Sequence, residues 1–142
     1  MEALELKNKI LEITTKLQLS GFATNTEEGK PWVRYVMTVG SRDMTMRFAT
    51  FIGARKVKHI DRNPEVHLTC GVTDPMKMGP YLQIQGKARF TTEKEDRHGF
   101  WNDMLKPIFS GPDDPNYGII IVDTYRIEYC TPGSMTPEVW HT

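Results

Sequence analysis

The sequence predicts a mainly β (α+β) fold, a six-stranded antiparallel β-barrel with flanking helices. Three observations predict it. After the first twenty residues the hydrophobic period is two, the period of a strand, rather than 3.6. Short turn-forming sequences join these runs, and links of that length serve antiparallel neighbours. Helical segments occur singly between strands, not in the strict alternation that builds a parallel sheet.

Leu6, Ile10, Ile13 and Leu17 recur at helical spacing, so residues 3–18 read as a helix closed by Ser20-Gly21. A short strand follows at 21–26, and Glu28-Gly29-Lys30 supplies a hairpin turn. The second strand is 32–39, with Val33, Tyr35, Met37 and Val39 on one face and Arg34, Val36 and Thr38 on the other. Ser41-Arg42-Asp43 turns the chain into a third strand, 44–50. Arg55 to Arg62 reads as a helix with Val57 and Ile60 facing inward, stopped by Asn63-Pro64 because the residue before proline avoids helical geometry. The fourth strand is 65–72 and the fifth 81–91, where Gly86 marks a bulge or a close backbone approach. Thr92-Glu93-Lys94-Glu95 reads as a capping box opening a helix to about Leu105. The last strand, 118–130, is entered through the apolar run Ile119 to Val122.

A chain of 142 residues has room for one domain, 1–142, with a sizeable core. Eighteen basic and eighteen acidic side chains give a formal net charge of zero, which argues against nucleic acid or an anionic membrane as partner. The N-terminus, MEALELKNKI, is a charged amphipathic helix start without the apolar core of a signal peptide. Ile119 to Val122 is far too short to span a bilayer. Cys70 and Cys130 form no CxxC pair; a disulfide between them stays open, but two cysteines in this length fit a reducing compartment better than a secreted scaffold. The expectation is a cytoplasmic protein.

The stretch from Arg34 to Pro64 carries the most chemistry. Arg34 stands in an otherwise apolar strand, and Phe48-Ala49-Thr50-Phe51-Ile52-Gly53-Ala54-Arg55-Lys56 joins a strand end to a helix start. Such a junction offers free backbone N–H groups, a positive dipole end, a hydroxyl and two cations, which suit a phosphate. The competing reading pairs Arg34 with a carboxylate and leaves Arg55-Lys56 as a solvated helix face. Basic residues at a helix start work against the dipole, which weakens that reading.

The ordered set Gly29-Lys30-Pro31, Arg34-Tyr35-Val36, Arg47-Phe48-Ala49-Thr50, Gly53-Ala54-Arg55-Lys56, Asn63-Pro64-Glu65-Val66 and Gly86-Lys87-Ala88 resembles the pyridoxamine 5′-phosphate oxidase-like, FMN-binding split-barrel superfamily. The second half, with Trp101 in an acidic helix ahead of Gly111 to Pro115, is similar to its general-stress-protein branch. The resemblance covers about residues 20–130. It implies a split barrel that binds FMN at a homodimer interface, with Arg34, Arg55 and Lys56 on the phosphate. Val36, Met37, Thr38, Ala49 and Thr50 would then lie along the ring and ribityl chain. The implied function is an FMN-dependent oxidoreductase, or a flavin carrier, of unassigned substrate. The alternatives are the deazaflavin F420 or haem in the same fold, a non-catalytic flavin-sensing or stress-related module, and a cofactor-free structural domain. Trp101 and Tyr117 are either aromatic walls of the pocket or ordinary core.

Three departures argue against vitamin B6 oxidation. Val39 stands where the family's oxidases carry a second phosphate-site lysine, and Tyr81 where they carry a glutamine, with Gln83 on the same strand face as Tyr81. Thr131 to Thr142 has no counterpart of their substrate-binding arginines and histidine. Elsewhere, His67 and Cys70 fall on opposite faces of a strand and cannot share a metal ion. Asp113-Asp114-Pro115 reads as a turn with solvated carboxylates. No residue stands out as a general acid or base.

Overall fold

A computed structural model describes residues 1–142. Seven strands and three helices follow in the order α1 (Ala3–Thr14), β1 (Gln18–Asn25), β2 (Pro31–Gly40), β3 (Thr45–Phe51), α2 (Arg55–Arg62), β4 (Glu65–Cys70), β5 (Tyr81–Thr91), α3 (Lys94–Phe100), β6 (Tyr117–Cys130) and β7 (Glu138–His141). The antiparallel order β3-β2-β1-β4-β5-β6 closes on itself because β3 also pairs with β6. The result is the expected six-stranded barrel. β7 lies outside it, on the edge of β6 beyond the stretch that β3 uses.

Alternation along the strands fills the barrel. Phe22, Phe48, Leu68, Leu82, Ile84 and Ile120 are fully buried in one core. The run Ile119 to Val122 is apolar at every position because both of its faces are covered. Ile120 and Val122 point into the barrel, while Ile119 and Ile121 join Phe100, Leu105, Phe109 and Tyr117 in a second core outside it. The Tyr117 hydroxyl donates to the Arg97 carbonyl (2.8 Å), and Trp101 meets the Tyr117 ring edge-on at 5.5 Å. Both aromatics are therefore packing residues.

Several boundaries differ from expectation. α1 ends at Thr14, not near residue 18, and Gly21 lies inside β1 rather than at a helix end. Thr15 Oγ1 donates to the Leu11 carbonyl, and Gln18 Nε2 donates to the carbonyls of Ile13 and Lys16, so side chains take the last helical acceptors. Leu17 thus leaves the apolar stripe and is exposed. α3 ends at Phe100 rather than near Leu105, and a 3-10 turn, Asp103–Leu105, follows. Asn102 caps the start of that turn by accepting the Met104 N–H. The expected capping box does not form. Thr91 Oγ1 instead accepts the Glu93 N–H and donates to Asp96. β4 stops at Cys70, where Gly71 takes a φ of 111°. Cys70 and Cys130 are both free thiols, and burial pushes the Cys70 thiol up to about 12.

The β5–β6 ladder shifts register between Gln85 and Gly86, at the expected bulge. A Cβ on Gly86 would stand 2.5 Å from Val122 Cγ1 and 2.9 Å from the Asp123 carbonyl oxygen. Gly86→Ala is expected to lower stability by about 1–3 kcal/mol. That corresponds to a fall in Tm of about 2–4 °C per kcal/mol, measurable by thermal unfolding. Gly99→Ala, on α3 with nothing within 4 Å, is the control and is expected to leave stability unchanged or raise it by up to about 1 kcal/mol.

Candidate functional site

The site begins where two strands part. β2 pairs with β1 along its length, from Gln18–Thr38 to Asn25–Pro31. With β3 it pairs only at Val39–Arg47 and Gly40–Met46. Continued one residue at a time, that register would bring Met37 to Ala49, Val36 to Thr50 and Tyr35 to Phe51. The pairs do not form. The strands diverge instead, and those six residues line a cleft of about 360 Å³. Backbone groups on the facing edges of β2 and β3 have no strand partner across the gap.

The far wall comes from the last residue of α3, Phe100, and the segment after it, Met104, Leu105, Ile108 and Phe109. Lys56, in the first turn of α2, closes one end. The size and the mostly apolar lining with few polar groups fit a small-molecule pocket.

At the Lys56 end lies a group of cations. Arg34 Nη1 donates to Thr24 Oγ1 (2.8 Å) and to the carbonyls of Trp32 (3.2 Å) and Phe22 (3.3 Å). Its guanidinium lies 5.8 Å from the Phe22 ring centroid, and that of Arg55 lies 5.7 Å from the Trp32 ring. Burial, and secondarily the charge of Arg55, lowers the pKa of Arg34. Burial, and secondarily the charge of Arg34, lowers that of Lys56. Arg34, Arg55 and Lys56 take part in none of the protein's ion pairs. α2 has no side-chain N-cap and no acidic residue in its first turn. Mutually repelling cations without a carboxylate, beside uncapped N–H groups, make a site that an anion would relieve.

A protein-family model described as pyridoxamine 5′-phosphate oxidase matches residues 6–131. The chain belongs to the pyridoxamine 5′-phosphate oxidase family. Among its relatives in sequence, General stress protein 26 of Bacillus subtilis (strain 168) is 29% identical over 137 residues, 96% of each protein. The crystal structure of General Stress Protein 26 from Bacillus anthracis str. Sterne matches with a TM-score of 0.84 at 26% identity, covering 97% of this chain and 99% of that one. Two other structures share the fold alone. An F420 reductase has a TM-score of 0.66 at 20% identity, over 82% of this chain and 93% of that one. A haem-binding protein from Mycobacterium smegmatis has 0.72 at 14%, over 99% of this chain and 58% of that one.

In this member of the pyridoxamine 5′-phosphate oxidase family, the residues singled out from the sequence fall into three places. Val36, Met37, Ala49, Thr50 and Lys56 line the cleft together. Arg34 and Arg55 stand outside its lining, in the cation group. Thr38 is fully buried, and its hydroxyl shares a 2.7 Å hydrogen bond with that of Ser20, so its side chain belongs to the barrel interior. Val39 packs against the second core. Asp114 accepts the N–H groups of Ser110 and Asn116, while Asp113 pairs with His98 at 2.7 Å, as turn and surface carboxylates do. Sequence reasoning missed the far wall, Thr24 and His59. The far wall depends on where the chain goes after α3. Thr24 carried a weak signal, a hydroxyl at an inward position of β1.

Proposed function

We propose that the chain is an FMN-binding oxidoreductase of unassigned substrate that works as a homodimer in the cytoplasm. The carboxylate-free cluster of Arg34, Arg55 and Lys56, opening onto the apolar cleft between β2 and β3, carries the reading. A phosphorylated flavin has the same division, with an anionic end and a flat, mostly apolar ring with polar edges. Arg34, Arg55 and Lys56 would hold the phosphate. The unpartnered backbone edges of Val36–Thr38 and Ala49–Thr50 would hold and orient the ring, and the wall from Phe100 to Phe109 would keep water from it. When bound, the flavin supplies hydride chemistry at its N5 atom, and the protein supplies position and electrostatics. Apart from Tyr35 and Lys56, no side chain of the cleft carries an exchangeable acid or base proton, so no catalytic residue is assigned.

The homodimer rests on the outer face of β1 and β2. Leu19 faces Met37, Gly21 faces Tyr35 and Ala23 faces Val33. Val33 is 69% exposed and Tyr35 80% exposed, an apolar strip that reaches the cleft. Exposed apolar surface of this kind marks interfaces, and a strip of paired strands suits a two-fold contact. The two free thiols agree with a reducing compartment.

Gel filtration after adding FMN tests the reading. Flavin absorbance between about 300 and 600 nm is expected to co-elute with a particle of twice the 16.3 kDa chain mass, because ligand and assembly stabilise one another. A blank spectrum sinks the cofactor assignment, and a monomer that retains flavin sinks the shared pocket. The F420 reductase and haem-binding neighbours define the alternative ligands, which the same spectrum separates once each is added in turn.

A further inference from the structure

His59 lies on α2 one turn beyond Arg55 and Lys56 and points its Nδ1 at Thr24 Oγ1, 2.8 Å away. That hydroxyl is buried and also accepts from Arg34 at 2.8 Å, so a single oxygen joins the imidazole to the guanidinium. A hydroxyl has one hydrogen and two lone pairs, and both protonation states of the ring are therefore served. With a neutral ring, Thr24 accepts from Arg34 and donates to Nδ1. With a charged ring, Nδ1–H donates to Thr24, which still accepts from Arg34 through its other lone pair.

We propose that His59 is the fourth binding group of the anion site and takes up a proton from solvent when a phosphate binds to Arg34, Arg55 and Lys56. The inference rests on the FMN reading and adds to it a residue and a proton.

The charges that act on His59 are cationic. Burial lowers its pKa first, and the charges of Arg34 on β2 and Arg55 on α2 lower it further. The helix also carries Lys56, Lys58, Asp61 and Arg62, of which Arg62 is drawn away to Glu27 at 2.8 Å. β1 has no titratable side chain, and β5 offers Tyr81, Lys87 and Arg89 but no carboxylate. On β4, the Glu65 carboxylate accepts from the Tyr125 hydroxyl at 2.6 Å. No carboxylate pairs with His59, and the charges that act on it, those of Arg34 and Arg55, oppose its protonation. A bound phosphate dianion would supply a negative charge and cancel part of the repulsion from Arg34 and Arg55.

The sign of the effect follows. A ligand that raises the pKa of a base binds more tightly as pH falls through that pKa. The phosphate's own second ionisation, near about pH 6, works the other way and is common to all variants. Comparing wild type with His59→Gln isolates the histidine. FMN affinity is to be measured by calorimetry in buffers of different ionisation enthalpy, with riboflavin as the phosphate-free ligand. The wild type is expected to take up more protons per FMN than His59→Gln near pH 6.5. Its affinity advantage should approach about tenfold near pH 5.5 and fade by about pH 8, the range over which histidine changes charge. Riboflavin should show no such difference. Equal proton uptake in both proteins, with FMN still preferred over riboflavin, overturns the role of His59 and leaves the phosphate site standing. Equal affinity for FMN and riboflavin in the wild type overturns the phosphate site itself.

Discussion

Replacing Arg34 and Lys56 together by alanine is expected to weaken FMN binding by about a hundredfold or more and riboflavin binding by no more than about threefold. Each side chain would give the phosphate a charge-assisted hydrogen bond worth about 1.5–3 kcal/mol. The lower bound for two already exceeds two decades, at about 1.4 kcal/mol per decade. Neither cation has a carboxylate partner, so their loss leaves no orphaned charge elsewhere. Arg34 does tie Thr24 to the carbonyls of Phe22 and Trp32, and some stability goes with it. Lys56→Ala alone is free of that complication and should show the same preference at smaller size. Fluorescence titrations with both flavins at fixed ionic strength check the prediction, since exposed charges are screened by salt. Parallel loss of both ligands would mean that these cations serve the fold and not a phosphate.

The site's precision comes from how β2 is held. One edge is bonded to β1 over eight residue pairs, while the other is left free along the cleft. β3 is held in the same one-sided manner by β6. Each wall is thus a strand fixed from behind, and its free edge is presented without the mobility of a loop. Groups placed in this way need little ordering when a ligand arrives.

Local chemistry makes much of this legible in the sequence. The bounds of α2 and β5 can be read directly, because Asn63-Pro64 and the flanking turns set them. Gly86 marks its bulge because nothing larger fits against Val122. Five of the residues singled out share one cleft, since the strand pattern assigns their positions. What the sequence hides depends on contacts between distant residues or on capping that no periodicity records. Leu17 keeps the helical spacing and so extends α1 too far, whereas capping by Gln18 decides the end. β7 is four residues long and exists by pairing with β6, so no periodicity marks it. That the Thr38 hydroxyl is engaged inside the barrel rather than offered to a ligand depends on Ser20, eighteen residues away.

Phe22→Ala joins core and site in one measurement. The ring is fully buried and meets Phe48 edge-on at 4.7 Å, while Arg34 lies over it. Removing it should lower stability by about 3–5 kcal/mol, the usual loss for truncating a buried aromatic. Domains of this kind have about 5–15 kcal/mol in all, so the variant is expected to sit close to unfolding. Phe22→Leu keeps most of the volume and should lose under about 1.5 kcal/mol of packing, leaving a folded protein. It also removes the aromatic face beneath the guanidinium, a contact worth about 0.5–1 kcal/mol at a partly exposed site. If that face helps to aim Arg34, the leucine variant will bind FMN about two- to fivefold more weakly and riboflavin unchanged. Urea unfolding of both variants and flavin titration of the second give the two numbers. An alanine variant that loses less than about 1 kcal/mol would contradict the burial on which the barrel core is built. A leucine variant with wild-type preference for FMN would show that Thr24 and the two carbonyls suffice to hold Arg34.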